Sequence, residues 1–282
     1  GAVRNRGVEV VITAQPVKLR NFKWSTTVTW SKNQNRVLEL AEGMGGKMDL
    51  AYGGNATIQA KVGGTTGDLY GFGFERSPEG AVVYTADGLP ARPSDIQYIG
   101  NAYADWKAEW RNEFSYKSFR FSFLFDGQYG GIIYSQTHHK MTEQGKLKHT
   151  LRGREENYII GDGVVFDAGT KKYVPNTKKV LPVDYYVEYY RRANVEANSF
   201  DASYLKLREA RFEYSIPAKA LGKSFVKGAS FAIYGRDLLM ITSFPIFDPE
   251  TAALNGSTLM PGVEMGQMPS TRTMGVNLTF KF

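Results

Sequence analysis

Thr271-Arg272-Thr273-Met274-Gly275-Val276-Asn277-Leu278-Thr279-Phe280-Lys281-Phe282 closes the sequence. Met274, Val276, Leu278, Phe280 and Phe282 alternate with Thr273, Gly275, Asn277, Thr279 and Lys281, the period of two that defines a strand with one apolar and one polar face. The apolar ladder runs out to the final aromatic, so something apolar must cover it. A second sheet does this in a soluble sandwich, and lipid does it in a transmembrane barrel whose polar face meets a wet lumen.

The same alternation recurs along the chain. Val8, Val10, Ile12 and Ala14 mark a first strand, with Pro16 expected to end it. Phe22, Trp24, Thr26, Val28 and Trp30 mark a second, with a tryptophan near each end of one face, as in the aromatic girdles of membrane barrels. Trp106, Ala108, Trp110, Asn112, Phe114 and Tyr116 turn tightly at Lys117-Ser118 into Phe119, Phe121, Phe123 and Phe125. The opposite face of this hairpin carries Lys107, Glu109, Arg111, Glu113, Arg120 and Asp126. At a lipid-facing position near the midplane Lys or Arg would cost about 2–4 kcal/mol, so these charges must face water. Tyr204–Ile216 changes phase between Leu207 and Ala210, which predicts a bulge near Arg208-Glu209; Phe225–Leu239 returns after a turn at Pro217.

About seven strands result, joined by connections that alternate between short (around Pro16, Lys117 and Pro217) and long (about 36–100, 133–200 and 240–270). Short turns at one end and long loops at the other are the plan of an outer-membrane barrel with periplasmic turns and extracellular loops. A minor hairpin pairing Leu69–Phe74 with Ala81–Tyr84 is expected inside the first loop. An open sheet leaves two unpaired edges that lipid does not tolerate. The sequence therefore reads as an all-β, transmembrane antiparallel barrel segment from a larger protein.

Composition agrees. The 282 residues contain 42% hydrophobics, 30 glycines and no cysteine, with no apolar run of about 18 residues for a helical span. A net charge of +7 without a dense basic stripe gives no support to nucleic-acid binding.

Ser203–Glu209, Tyr214-Ser215-Ile216-Pro217, Tyr234–Leu239, Phe247-Asp248-Pro249-Glu250 and Arg272–Phe282 resemble the C-terminal barrel of SusC/RagA-type TonB-dependent transporters of Bacteroidota, as do Arg4–Glu9 and Phe125–Gly131. The likeness covers residues 1–282 and departs at Gly235-Arg236-Asp237, where that family usually has Gly-Gln-Asn. It implies about seven strands of a 22-stranded, plugged barrel. It also implies import of a glycan or peptide powered by TonB through a plug outside this sequence, and a SusD-like lipoprotein lid on the loops. The rival from another class is a soluble all-β carbohydrate-binding module, which would bury the Phe119–Phe125 face under a second sheet.

Chemistry-bearing motifs are few. Gly222-Lys223-Ser224 looks like the end of a phosphate loop, but the first glycine of that motif falls where Pro217 stands. His138-His139 and His149 read as solvated loop residues with too few ligands for a metal, and Asp162-Gly163 and Asp167 read as turns before Ca²⁺ ligands. No acid, base or nucleophile set can be assembled, so no enzyme, cofactor or metal is expected. Lys107, Glu109, Arg111, Glu113 and Arg120 are expected to line the lumen. Tyr185, Tyr186, Tyr189, Tyr190, Arg191 and Phe247 are the candidate contacts to lid or substrate, because exposed tyrosine and arginine make strong anchors; the wider contact segments are Tyr173–Arg192 and Phe244–Met268.

Overall fold

The computed structural model describes residues 1–222, 225–255 and 258–282. Its frame is one seven-stranded sheet in which every strand pairs antiparallel with its predecessor: β1 (Ala2–Lys18), β2 (Phe22–Glu39), β3 (Trp106–Tyr116), β4 (Phe119–Tyr129), β5 (Tyr204–Ile216), β6 (Gly228–Thr242) and β7 (Thr273–Lys281). β1 is longer than its apolar alternation suggests. It passes through Pro16 by a register shift between Ala14 and Val17, where Gln15 and Pro16 have no cross-strand partner and the missing N–H breaks no ladder bond. The bulge in β5 is present: Leu207 faces Phe125 and Leu239, Glu209 faces Leu124 and Arg236, and Arg208 is left over.

Register carries the apolar phase across all seven strands. Ile12 stands opposite Val28, Val28 opposite Trp110, Trp110 opposite Phe125, Phe121 opposite Phe212, Phe212 opposite Ile233, and Ile233 opposite Val276. Among the described residues nothing lies over this face. Ile12 is 60% exposed, Phe121 40% and Val276 61%, which overturns the sandwich reading, since a second sheet would have buried them. A continuous apolar surface of this extent far exceeds what soluble monomers tolerate. Its height fits a bilayer. From the stacked Trp106–Tyr129 pair at one end to Tyr116 opposite Phe119 at the other the chain rises about 33 Å, or about 25 Å along the normal at a tilt near 40°.

Two polar side chains interrupt that face. Thr26 and Asn112 are directly opposite one another, and an indole reaches the oxygen of each: Trp24 Nε1 donates to Asn112 Oδ1 at 2.9 Å, and Trp110 Nε1 donates to Thr26 Oγ1 at 3.0 Å, while Asn112 Nδ2 is buried without a partner. The two tryptophans thereby screen the polar pair, and Asn112 is fully buried.

Residues 19–21, 117–118 and 217–227 make the short connections, the last including a helical turn at Ala218–Leu221. Lys223 and Ser224, which complete the phosphate-loop look-alike, lie outside the described residues. The long connections span 40–105, 130–203 and 243–272, all at the other end, and their described residues carry regular structure. Short strands couple them: Val83–Tyr84 of the first pairs parallel with Val164–Asp167 of the second, and Ile132–Ser135 of the second pairs parallel with Val263–Glu264 of the third. The hairpin expected between Leu69–Phe74 and Ala81–Tyr84 does not form, because Asp68–Gly71 pairs with Ala56–Lys61 and Gln97–Asn101 instead. One core unites all three connections, with Ile58 and Leu69 from the first, Tyr134 and Val195 from the second, and Met260 and Val263 from the third. Gly71 lets the first approach the second, since a Cβ there would lie 2.4 Å from Val195 Cγ2.

Candidate functional site

The polar face of the sheet and the cap built by the long connections meet at one end, and their junction holds a dense polar network. Lys107, Glu109, Arg111 and Glu113 alternate along β3 on the face opposite Trp110 and Phe114, and Arg120 joins them from β4. All five are exposed. Glu113 and Arg120 approach to 3.6 Å; both are half-exposed, so this pair adds little stability. The five side chains thus form an exposed charged row on the polar face.

Above that wall β5 is tied to the third connection. Lys206 is 2% exposed; its Nζ donates to both carboxylate oxygens of Asp248 at 2.7 Å and also to Glu250. The bulge turns Arg208 to the same place, where it donates to Asp126 and Glu250 at 2.5 Å and to Asp237 at 3.3 Å. The Tyr204 hydroxyl donates to Glu250 at 2.8 Å. Burial alone would raise the carboxyl of Glu250, but hydrogen bonds from Arg208, Lys206 and Tyr204 bring it down to about 2. Asp237 has a positive φ of 51°, which explains an Asp where the resembled family has Asn: both side chains tolerate that region. This tether was not foreseen as a site. Its signal was the match between Lys206-x-Arg208 on a strand and Asp248-x-Glu250 in a loop.

Phe247 sits beside the tether with φ of 26° and is 43% exposed, between buried Ile246 and Asp248. Such a backbone costs roughly 1–3 kcal/mol, and the buried neighbours hold it there. It is an exposed aromatic, as a contact residue needs to be.

The tyrosine cluster differs from expectation. Tyr185 and Tyr186 lie on the helix Pro182–Tyr189 but point inward, packed with Tyr84 and Ile159, so they are core residues of the cap instead of exposed anchors. Tyr186 Oη donates to the carbonyl of His149 at 2.7 Å. Tyr189 packs on Phe74 with ring centres 4.6 Å apart, and the carbonyl of Tyr190 meets His139 Nδ1 at 2.7 Å. Arg191 is half-buried and paired to Glu188 at 3.2 Å; Arg92 grips the same carboxylate with two bonds. The aliphatic residues exposed on the segment Tyr173–Arg192 are Val174, Leu181, Val183 and Val187.

The histidines are not solvated either. His138 and His139 are buried, and His138 stacks on His149 with centroids 5.2 Å apart. Burial first, and then the two neighbouring histidines, press His138 down to about 4 against the Asn198 hydrogen bond that raises it. A histidine held below its unfolded value near 6.5 leaves the unfolded chain binding more protons between pH 6.5 and 4. His138 alone therefore takes about 3 kcal/mol of stability from the cap as pH falls through that window, and His139 and His149, both held down by burial, act in the same direction. Hydrogen exchange of residues 136–149 is expected to speed up between pH 6.5 and 4 after correction for intrinsic rates, and less so in His138→Gln; equal pH profiles for the two proteins would refute this. Among the described residues no group of three or more His, Asp or Glu is arranged to hold a metal. Asp167 instead closes a turn by accepting from Gly169 N and Thr170 Oγ1.

No family model matches the sequence. TonB-dependent receptors P3, P26 and P39 of Formosa agariphila are 24%, 26% and 25% identical over 99–100% of this chain. The chain corresponds to part of a TonB-dependent receptor barrel. It spans 29–30% of the length of these receptors. The RagAB peptide transporter superposes on 99% of the chain with a TM-score of 0.67 at 16% identity, covering 29% of that chain, and the RagAB peptide importer in its "open-open" state gives 0.68 at 17%. The fold is thus the one seen in RagAB, and the chain's place is the bacterial outer membrane, crossed by strands; no helix among the described residues is long and apolar enough to cross. In that setting the exposed aromatic face is the receptor's lipid contact.

Proposed function

We propose that residues 1–282 are the C-terminal portion of a receptor that imports a bulky nutrient, a glycan fragment or peptide, across the outer membrane, driven by TonB through a plug supplied by the rest of the protein. The other strands close the sheet edges at β1 and β7. The long connections are extracellular, and Lys107, Glu109, Arg111, Glu113 and Arg120 hydrate and shape the passage. No reaction is assigned to the chain, and the relatives carry the names of receptors and transporters.

The observation that carries this reading is the cap. Three connections share one core at a single end of a lipid-facing sheet, which makes a rigid platform where a flexible fringe would suffice for a passive pore. The platform presents apolar residues outward: Leu254 and Leu259 stand directly opposite each other on the hairpin Ala253–Asn255 and Thr258–Met260, 65% and 64% exposed. With Phe247 and Val183 they suit a SusD-like surface lipoprotein, whose stable attachment would bury more than about 1,000 Å². Leu254→Asp/Leu259→Asp in the full receptor is expected to lower co-purification of the lipoprotein at least tenfold while the barrel stays inserted. Undiminished co-purification would exclude this hairpin as the main contact. The same purified complex reports its cargo, since a retained glycan or peptide is read directly by mass spectrometry.

A further inference from the structure

Directly beyond the apolar band, the outward phase of β1 and β2 changes character. Val10 faces Trp30, then Val8 faces Lys32, Arg6 faces Gln34, and Arg4 faces Arg36. Lys32 follows Ser31, the partner of Lys107, so it stands level with Trp106 in the aromatic row at the loop end. Four cations are therefore stacked over three successive rungs above the lipid contact. Among the described residues none of the four makes an ion pair, and Asp105, the single carboxylate lining the groove they share, pairs with none of them. Arg4 directly opposite Arg36 is a like-charge pair, a destabilising arrangement unless an anion lies between. Toward the membrane, Ala108 and Gly127 are opposite each other and leave a depression walled by Trp106, Trp110, Phe125 and Leu205.

We propose that Arg4, Arg6, Lys32 and Arg36 hold the phosphate of an outer-leaflet lipid whose acyl chains lie on Val8, Val10 and Trp30 and in the depression at Ala108 and Gly127. Guanidinium groups bind phosphate through paired N–H bonds, and the patch is continuous with the lipid surface, so charge and apolar area are presented in the order that a phospholipid or phosphorylated glycolipid presents them. A lipid seated there braces β1 against β2 at the height where the sheet leaves the bilayer and the cap begins. The inference rests on the loop end being the outer one. It is tested in micelles, where neither side is defined, so a failure of orientation and a failure of the site are told apart.

The full receptor in dodecyl maltoside is titrated with diphosphoryl lipid A, with phosphatidylcholine as the neutral lipid, and bound lipid is counted by native mass spectrometry. Binding of lipid A is expected to exceed that of phosphatidylcholine at least tenfold, to fall at least tenfold in Arg4→Gln/Arg36→Gln, and to be largely kept in Arg4→Lys/Arg36→Lys. Millimolar inorganic phosphate should not displace it, because the acyl chains contribute. Equal binding of the two lipids, an unchanged affinity in the glutamine variant, or full displacement by inorganic phosphate would each overturn the proposal. The lipid comparison uses the parent protein and stands even if a variant fails to insert.

Discussion

Lys206→Met is expected to detach the third connection from the barrel wall. The ammonium is buried between Asp248 and Glu250, and Asp248, itself 6% exposed, has no other cation among the described residues. Removing one partner of a buried pair leaves the other desolvated and uncompensated, at a cost of about 3–5 kcal/mol. That penalty falls on the docking of residues 244–264, because the sheet itself is held by its ladder. Trypsin or hydrogen exchange should therefore find 244–264 opened at least a hundredfold more often, about 2.8 kcal/mol by the tenfold-per-1.4 kcal/mol rule, while the barrel keeps its heat-modifiable mobility. Lys206→Met/Asp248→Asn should recover much of the loss, since no lone charge remains. Unchanged protection of 244–264 in the single variant would show that the tether is not what holds the cap down.

The second large effect contrasts neighbours in the chain. Phe123 lies halfway between the aromatic rows, on the lipid side, in contact with Trp110, Phe114 and Phe125; Ser122 lies on the other side, opposite Glu113 and Arg211. Phe123→Lys forfeits the ring contacts and adds about 2–4 kcal/mol for an ammonium at mid-bilayer. Ser122→Lys puts the same charge on the polar face, between Glu113 and Arg211, and should change stability by less than about 0.5 kcal/mol. In vesicle-refolding assays the first variant is expected to insert poorly and the second like the parent. Equal behaviour would mean that the two faces do not see different solvents.

The frame was legible because its signal is local. Alternation in Met274–Phe282 and in the Trp106–Phe125 hairpin needs only neighbouring residues, and the phase change between Leu207 and Ala210 located the bulge before any pairing was known. The cap was not legible, for the opposite reason. Its strands are two to seven residues long, too short for a period to show, and Val83–Tyr84 finds its partner some eighty positions away at Val164–Val165. Tyr185 and Tyr186 illustrate the same limit. A polar-tipped aromatic in a loop suggests a binding surface, and only the arrival of Tyr84 and Ile159 from distant segments makes it core. The Lys206 tether escaped because a lysine in the polar phase of a barrel strand is ordinary, and its burial depends on a loop that returns more than forty residues later.

The single core shared by three connections fixes an order of events. Ile58 and Leu69 pack against Met260 and Val263, residues that leave the ribosome roughly two hundred positions later, so the entropy of closing that long loop must be met before any reward arrives. The hairpins of the wall gain their contacts from adjacent chain and can zip one after another. The cap has no such option and completes only after β6 has returned and the final connection has crossed over. A receptor caught midway would show a finished wall beneath an open, sticky crown, and that crown is the part of the newborn molecule with most need of a chaperone's shelter.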